Sequence, residues 1–526
     1  MTAPEDGPDA PDDASLVLVL DLGTTALKVG VVTLTGRLVA AESVDLDLVL
    51  GPDGAVTQDA QRWWDLSLDL GAQVVARTAD AGRVVAVTTT GQWSSTVPVA
   101  ADGSPVGPCV MWLDTRGGPI TRRRVGGPVA GYDPRHLLAW VRRSGGAPSL
   151  DGADPLGHRW YLAEREPAVH AAASFLLEPV DYLAMRLTGR AAATQASMVG
   201  AWLTDNRRLD PGGYDPGLVR RSGVDPDRLP PLVRNGSVLG PLLPDVAARL
   251  GVPASAHVVA GLGDALSTAL GSGATDLYAP HVSLGTTSWV SCHVPAKKTD
   301  VVHAFAAVPS TLPDRYVVLN NHETSGRCLH WLRGLVAGPD DPLTYTDLDT
   351  LAEQAAPGSG GVIFTPWLLG ERTPITDRNA RGGFHNVSLS TVRADLVRAV
   401  LEGVAYNDRW TFDILEKFTG RRLGAVRMVG GGARSDLWCQ IHADVLDRPV
   451  EQVEDPDCAT LRGAAFNAGV ALGRLRVEDL SALTPVRATY VPSPARVATY
   501  GRLYAEFPGL YSRNKAMFAR LNGGVA

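Results

Sequence analysis

The sequence predicts two related α/β domains. Three observations carry that prediction: the chain runs to 526 residues, a strand-and-turn unit containing Leu-Gly-Thr-Thr occurs twice, and each copy is followed by long stretches of helical periodicity. With roughly 100–200 residues per domain as a guide, a chain of this length holds two large units or several smaller ones. Its 45% hydrophobic and 20% charged residues are ordinary globular usage and argue against a disordered or fibrous chain. The expected division is an acidic, disordered tail over 1–14, a first domain over 15–275 and a second over 276–526.

The tail, within "MTAPEDGPDAPDDAS", is acidic and Pro-rich where a secretory signal would be basic and then apolar. No apolar stretch approaches the ~20 residues that span a bilayer, so no membrane partner is expected. Five scattered cysteines (Cys109, Cys292, Cys328, Cys439 and Cys458) form no CxxC pair and read as reduced thiols of a cytoplasmic protein. A net charge of −7 with no dense Lys/Arg run argues against a nucleic-acid partner.

The first structured stretch, "SLVLVLDLGTTALKVGVVTLTGRLVAAESV", reads as a buried strand, a tight Gly-Thr-Thr turn, a second strand, a Thr-Gly turn and a third strand. The stretch "HVSLGTTSWVSCHV" repeats the first two strands, so Gly23-Thr24-Thr25 is echoed by Gly285-Thr286-Thr287. Glycine lets backbone amides approach a ligand, and two threonine hydroxyls beside N–H groups make a concave donor surface for phosphate oxygens. Two such turns face to face would grip a polyphosphate; either one alone is equally an ordinary hairpin. Asp21 ends the strand before the first turn. A carboxylate there would repel phosphate unless a cation intervened, so Mg²⁺ is expected, with an Asx turn as the structural alternative.

In "GLGDALSTALG", Asp264 stands between a glycine pair and a run of small residues that can open a helix. Aspartate is a favoured helix cap and a common general base, and the residues alone leave both readings open. In "VRMVGGGARSDLWCQIHADVLDRPV", three glycines separate a strand from a helix with Leu437, Ile441 and Val445 on one side and Ser435 as its N-cap. Gly430, Gly431 and Gly432 clear side chains from a crossover where a flat ring or a phosphate could lie on backbone. The triplet is not a GxGxxG and no Walker A sequence occurs, so neither a Rossmann nor a P-loop site is supported.

Taken in order, "LDLGTTALKVGVV", "QDAQRWWD", "TTGQWSS", "MWLDTR", "FLLEPVDYLAMRLTG", "GLGDALSTALGSG", "SLGTTSWV", "PWLLGERTPITDRNARGGF", "LVRAVLEGVAY" and "GGGARSDLWCQIHADVL" resemble the FGGY carbohydrate kinase family over about residues 15–515. The "GERTP", "DRNARGGF" and "GGGARSDLW" stretches look most like its xylulokinase branch. The resemblance implies two duplicated ribonuclease H-like domains of the actin/Hsp70 type with a cleft between them, the first binding sugar and the second nucleotide. It implies that Asp264 is the general base, taking a proton from a sugar hydroxyl as its oxygen attacks the γ-phosphorus of ATP. The small residues Ala265, Ser267, Thr268, Ala269 and Gly271 are then expected to leave room for the substrate.

Carried over residue by residue, Asp21 and Asp264 would be linked to Mg²⁺. Gly23, Thr24, Thr25 and Lys28 would form the first phosphate hairpin and Gly285, Thr286 and Thr287 the second, with Gly431, Gly432 and Ser435 bordering adenine and ribose. Gln92, Trp93, Ser94, Trp112, Asp114, Arg116 and Ala265 would line the sugar cleft. Xylulokinases carry Met and His where this chain has Trp93 and Ser94, and Asn where it has Ala265. Hydrogen-bonding groups are therefore missing, and either the substrate differs or other residues compensate. Asn320, Asn321, His322 and Glu323 receive no role. The implied function is ATP-dependent phosphorylation of a small sugar, first a pentulose such as D-xylulose, with ribulose, fuculose, gluconate or erythritol as alternative acceptors. An actin-fold nucleotide-dependent binding protein is the alternative of another class, and a kinase that has lost activity is a third. The small-molecule partners are a sugar and ATP, and a homodimer stays open as the assembly.

Overall fold

The computed structural model describes residues 14–337 and 343–523; the tail expected over 1–14 lies, but for Ala14, outside the described residues. The chain begins with the expected meander of Leu16–Leu22 (β1), Ala26–Thr33 (β2) and Leu38–Asp45 (β3). β1 is apolar almost without interruption because both its faces are covered. Leu16, Leu18 and Leu20 meet the helix Ala60–Ala76 (α1), and Val17 and Val19 meet a helix from the far end of the chain. Asp59 starts α1 by accepting the Gln61 and Arg62 amides. The strands Val84–Gly91 (β4), Val238–Pro241 (β5) and His257–Gly263 (β6) complete a sheet of order β5-β6-β4-β1-β2-β3. β4 runs parallel to both β1 and β6.

The second sheet repeats this plan. Pro280–Leu284 (β7) pairs antiparallel with Ser288–Val294 (β8), as β1 does with β2. Beyond them lie Thr299–Asp300 (β9), Phe305–Pro309 (β10) and Tyr316–Leu319 (β11). Val426–Val429 (β12), Val450–Val453 (β13) and Val486–Tyr490 (β14) complete the order β9-β10-β11-β8-β7-β12-β13-β14. β12 lies parallel to β7 just as β4 lies parallel to β1. Two α/β domains of one design are therefore present, as the repeated tetrapeptide predicts.

The domains join through two helices, Asp264–Gly271 (α2) and Ala459–Ala471 (here called the cross-helix, the one that covers Val17 and Val19). Their backbones approach so closely that a methyl group on Gly463 would lie 1.7 Å from the Ser267 carbonyl oxygen, and one on Gly271 1.8 Å from that of Ala459. This corrects one expectation: Ser267, Thr268, Ala269 and Gly271 are buried and let the cross-helix close down on α2, so they do not make room for a substrate. Among the described residues no helix is long and apolar enough to cross a membrane. All five cysteines are free.

Candidate functional site

The parallel strands β1, β4 and β6 end side by side. Asp21 and Leu262 are both paired with Thr90, and Leu22 and Gly263 with Gly91. The carboxyl ends of these strands thus gather Asp21, Gln92 and Asp264 at one edge of the sheet, the edge where open parallel sheets bind ligands. Asp264 is the first residue of α2, and the cap position belongs to Gly263. Among the described residues the Asp264 carboxylate accepts only its neighbour's amide, Ala265 N–H at 2.7 Å, and makes none of the bonds a helix cap makes. Burial pushes its carboxyl up to about 6. Burial likewise pushes Asp21 up to about 7; Lys28, directly opposite across β1 and β2, pulls it down, and the Asp264 charge raises it. Both acids sit where negative charge is under-compensated, and hard oxygen donors in that condition fit a divalent cation such as Mg²⁺.

The first Gly-Thr-Thr turn is tied on every side. The Gly23 amide donates to Ala26 O at 2.9 Å, Gln58 Nε2 donates to Thr24 O at 2.9 Å, and Trp112 Nε1 donates to the Thr24 hydroxyl at 3.0 Å. Gly91 is required behind it: its φ is +144° and a methyl group there would lie 2.1 Å from Leu22 O. The second turn closes through Gly285 N–H to Thr287 O at 2.9 Å, while Gly285 O and Thr286 O accept the amides of Gly326 and Ser325. Below it, the Ser288 hydroxyl donates to Asp408 at 2.9 Å, His442 Nε2 bonds its other oxygen at 2.9 Å, and His322 Nδ1 stands 3.1 Å away. Burial alone would raise the Asp408 carboxyl, but these two imidazoles outweigh it and hold it well below the usual carboxylate range. His322, which had no assigned role, is thus part of the support of the second turn.

The glycine triplet divides its duties. Gly430 has φ +88°, and a methyl group on it would strike Leu284 O at 2.7 Å, so it lets the ends of β7 and β12 meet. Gly432 packs on Leu284 and the Trp438 ring. Gly431 faces open space, with nothing within 4 Å of an added methyl. Ser435 caps the helix Asp436–Leu446 by accepting Trp438 N–H at 3.0 Å, as expected.

On the other side of Asp264, the Trp93 ring lies on Gly263, and its Nε1 donates to Ser197 O at 2.6 Å. Ser94 holds a left-handed φ of +66°, a strained conformation for serine. Asp114 is fully buried and accepts Val56 N–H at 2.9 Å, Arg116 N–H at 3.0 Å and the Arg116 guanidinium, Nη2 at 2.7 Å. Its oxygens are taken up in fixing Arg116, which reaches Tyr161 Oη at 2.6 Å. Residues 92–95 rest on acids that sequence reasoning missed. Glu178 is buried under the Ser94 and Ser95 amides, and burial and the Asp181 charge push it well above the usual range. Asp181 in turn accepts the Ser197 hydroxyl at 2.8 Å. Both acids belong to "FLLEPVDYLAMRLTG", but nothing local in that stretch says that a loop some 85 residues earlier sits on Glu178.

A chain of contacts links the two Gly-Thr-Thr turns across the domains. From Thr24 the contacts run to Trp112, across to Arg372 whose guanidinium stands 5.9 Å from the indole centroid, to Glu323 at 2.6 Å, and through Ser325 N–H to Thr286 O.

The sequence matches the family model described as "FGGY family of carbohydrate kinases, N-terminal domain" over residues 16–125 and 154–271, and its C-terminal counterpart over 281–472. A xylulose kinase of Streptomyces coelicolor is 30% identical over 480 residues, 90% of this chain and 90% of that protein. A gluconokinase of Bacillus subtilis is 24% identical over 486 residues, 88% of each. The crystal structure of a xylulose kinase from Rhodospirillum rubrum superposes with a TM-score of 0.82 at 28% identity, covering 96% of this chain and 99% of that one.

Proposed function

Because the chain belongs to the FGGY family of carbohydrate kinases, we propose that it transfers the γ-phosphoryl group of ATP to a hydroxyl of a small sugar, with D-xylulose the first candidate acceptor. The observation that carries this reading is the placement of Asp264: an uncapped, under-compensated carboxylate at the end of β6, with Asp21 and the first phosphate turn two strands away.

In this reading Asp264 accepts the proton of the acceptor hydroxyl as the oxygen bonds to phosphorus, and a carboxyl held near 6 is ionised and still basic enough at neutral pH. The amides and hydroxyls of Gly23-Thr24-Thr25 and Gly285-Thr286-Thr287 hold the phosphates from opposite domains. Gly431 and Ser435 border the base and ribose, Gly431 because it leaves its side of the cleft open. Gln92, Trp93 and Arg116 shape the acceptor side, and Ala265 adds no hydrogen bond there. Mg²⁺, which Asp21 and Asp264 would hold, would neutralise charge on the phosphate oxygens. Closure of the two domains excludes water, so ATP is spent on the acceptor and not on hydrolysis.

A second acceptor is favoured by one observation. Ala265 and the Trp93–Ser94 pair supply fewer donors than the xylulose site of the xylulokinase pattern, which leaves another ketose, polyol or sugar acid (ribulose, fuculose, gluconate or erythritol) as candidates. ADP release from MgATP across these acceptors, with an acceptor-free blank, tests both readings. An acceptor-dependent signal, strongest with one sugar, is expected; hydrolysis indifferent to every acceptor would overturn the kinase reading in favour of a nucleotide-dependent binding protein.

A further inference from the structure

Trp112 stands at a junction of three parts of the cleft. Its backbone amide donates to Ser95 Oγ at 3.0 Å, and that hydroxyl donates to Gln92 Oε1 at 3.2 Å, which ties it to the acceptor loop. Its indole N–H holds the Thr24 hydroxyl of the first phosphate turn. Its ring face receives the Arg372 guanidinium from the other domain. Arg372 remains 44% exposed.

Arg372 is itself aimed with care. Its Nε donates to Glu323 at 2.6 Å, and the amides of Arg372 and Glu323 both donate to one oxygen of Glu371, at 2.8 and 3.0 Å. Glu371 is buried, and its second oxygen accepts Asn407 Nδ2 at 2.7 Å from the long helix 393–419. The guanidinium is therefore anchored to the core of the second domain and pointed at the first. The same segment makes one more crossing, Arg378 to Asp151. A surface ion pair does not call for a buried carboxylate to orient both of its backbones, whereas a side chain that must meet a ring in another domain does.

Resting on the kinase reading above, we propose that Arg372 is a positioning residue for phosphoryl transfer: by seating on Trp112 it couples closure of the second domain to the alignment of the acceptor loop and the first phosphate turn. Arg372 reaches the reaction only through Trp112. Its loss leaves both sites built but uncoordinated, so acceptor is used poorly and ATP is hydrolysed without it. A planar guanidinium suits the ring face, and a lysine ammonium replaces its charge but not its plane.

The test is steady-state kinetics of the full-length protein with the best acceptor, comparing wild type with R372A, R372K, W112A and the double variant R372A/W112A. Expected for R372A are an acceptor KM raised about tenfold, the scale of a partly desolvated cation–π contact, an ATP KM within about twofold of wild type, and a larger share of ATP turned over without acceptor. R372K should recover part of the acceptor KM, and R372A should add little once Trp112 is gone. Wild-type acceptor kinetics in R372A, or additive losses in the double variant, would overturn the inference while the kinase reading stands. A loss in R372A that falls equally on ATP KM and kcat, with no extra hydrolysis, would mark it as merely structural. A wild-type protein that phosphorylates no acceptor would overturn the reading, and this inference with it.

Discussion

Asp21 lies near the end of β1 and Asp264 directly follows β6, the two strands that flank β4, and the charge of Asp264 adds to burial in holding the Asp21 carboxyl up at about 7. Lys28 faces Asp21 across the hairpin and offsets only part of this. A protein that folds around two such acids carries an electrostatic cost that a bound cation would relieve.

Without metal, stability should fall as pH rises. Asp21 and Asp264 hold their protons more tightly when folded, at about 7 and about 6, than in an unfolded chain with an ordinary value of 3.8. The folded state therefore binds more protons across that window, and the slope of unfolding free energy against pH is negative there. D21N, which cannot ionise, should melt above wild type at about pH 8 in EDTA, with an advantage that shrinks as pH falls below about 7 and is gone only near about pH 4. Thermal melts across that range check it; a difference constant with pH would mean that Asp21 is compensated by groups other than those named.

Mg²⁺ should reverse the sign of that comparison. With a non-hydrolysable ATP analogue present, the wild type should gain stability on adding Mg²⁺, because a ligand that binds only the folded state adds its binding free energy. D21N should gain much less, and its Mg²⁺ concentration for half-maximal turnover should rise by about tenfold or more, as removal of one of only one or two protein carboxylates demands. An unchanged Mg²⁺ dependence would take Asp21 out of the site.

D264N should retain ATP binding within a few-fold and lose about 10²–10⁴ in transfer rate, the range that a positioned general base supplies. In the wild type, kcat/KM should rise with pH through about 6, since Asp264 must be ionised to accept the proton. Near-normal turnover in D264N would return this residue to a structural role, although the structure gives it no cap to make.

The parts of this molecule that were legible in the sequence are those whose causes are local. Gly23-Thr24-Thr25 and Gly285-Thr286-Thr287 announced paired hairpins because turn chemistry is written in three or four adjacent residues, and the repetition announced the duplication. Ser435 was readable as a cap for the same reason. The small residues after Asp264 were misread because the partner that requires them, Gly463, lies in a distant helix, and no periodicity within "DALSTALG" reveals it. Asp114 looked like an open ligand, yet it is enclosed by Val56 and Arg116, a pairing set by how the loops fold over one another. His322, Glu371 and Arg372 carry no local signal of a role, because their meaning lies in what they touch: Asp408, Asn407 and Trp112.

Closeness of the two helices at the domain junction gives the last prediction. G463A places a methyl group 1.7 Å from the Ser267 carbonyl, and the obstacle is backbone within a packed helix, which cannot rotate away as a side chain can. Destabilisation of about 2–3 kcal/mol, the upper end for overpacking, is expected. Because Asp264 opens the displaced helix, transfer should suffer beyond the loss of stability, with the acceptor KM rising at temperatures where the variant is fully folded. The control is G501A, the same change at a helical glycine whose added methyl meets nothing within 4 Å. There the gain in helix propensity should stabilise the protein by about 0.5–1 kcal/mol. Thermal melts of the two variants with opposite signs would establish that contact with α2, and not the loss of glycine as such, governs residue 463; matching signs would refute the close packing that holds the Asp264 end of α2 in place.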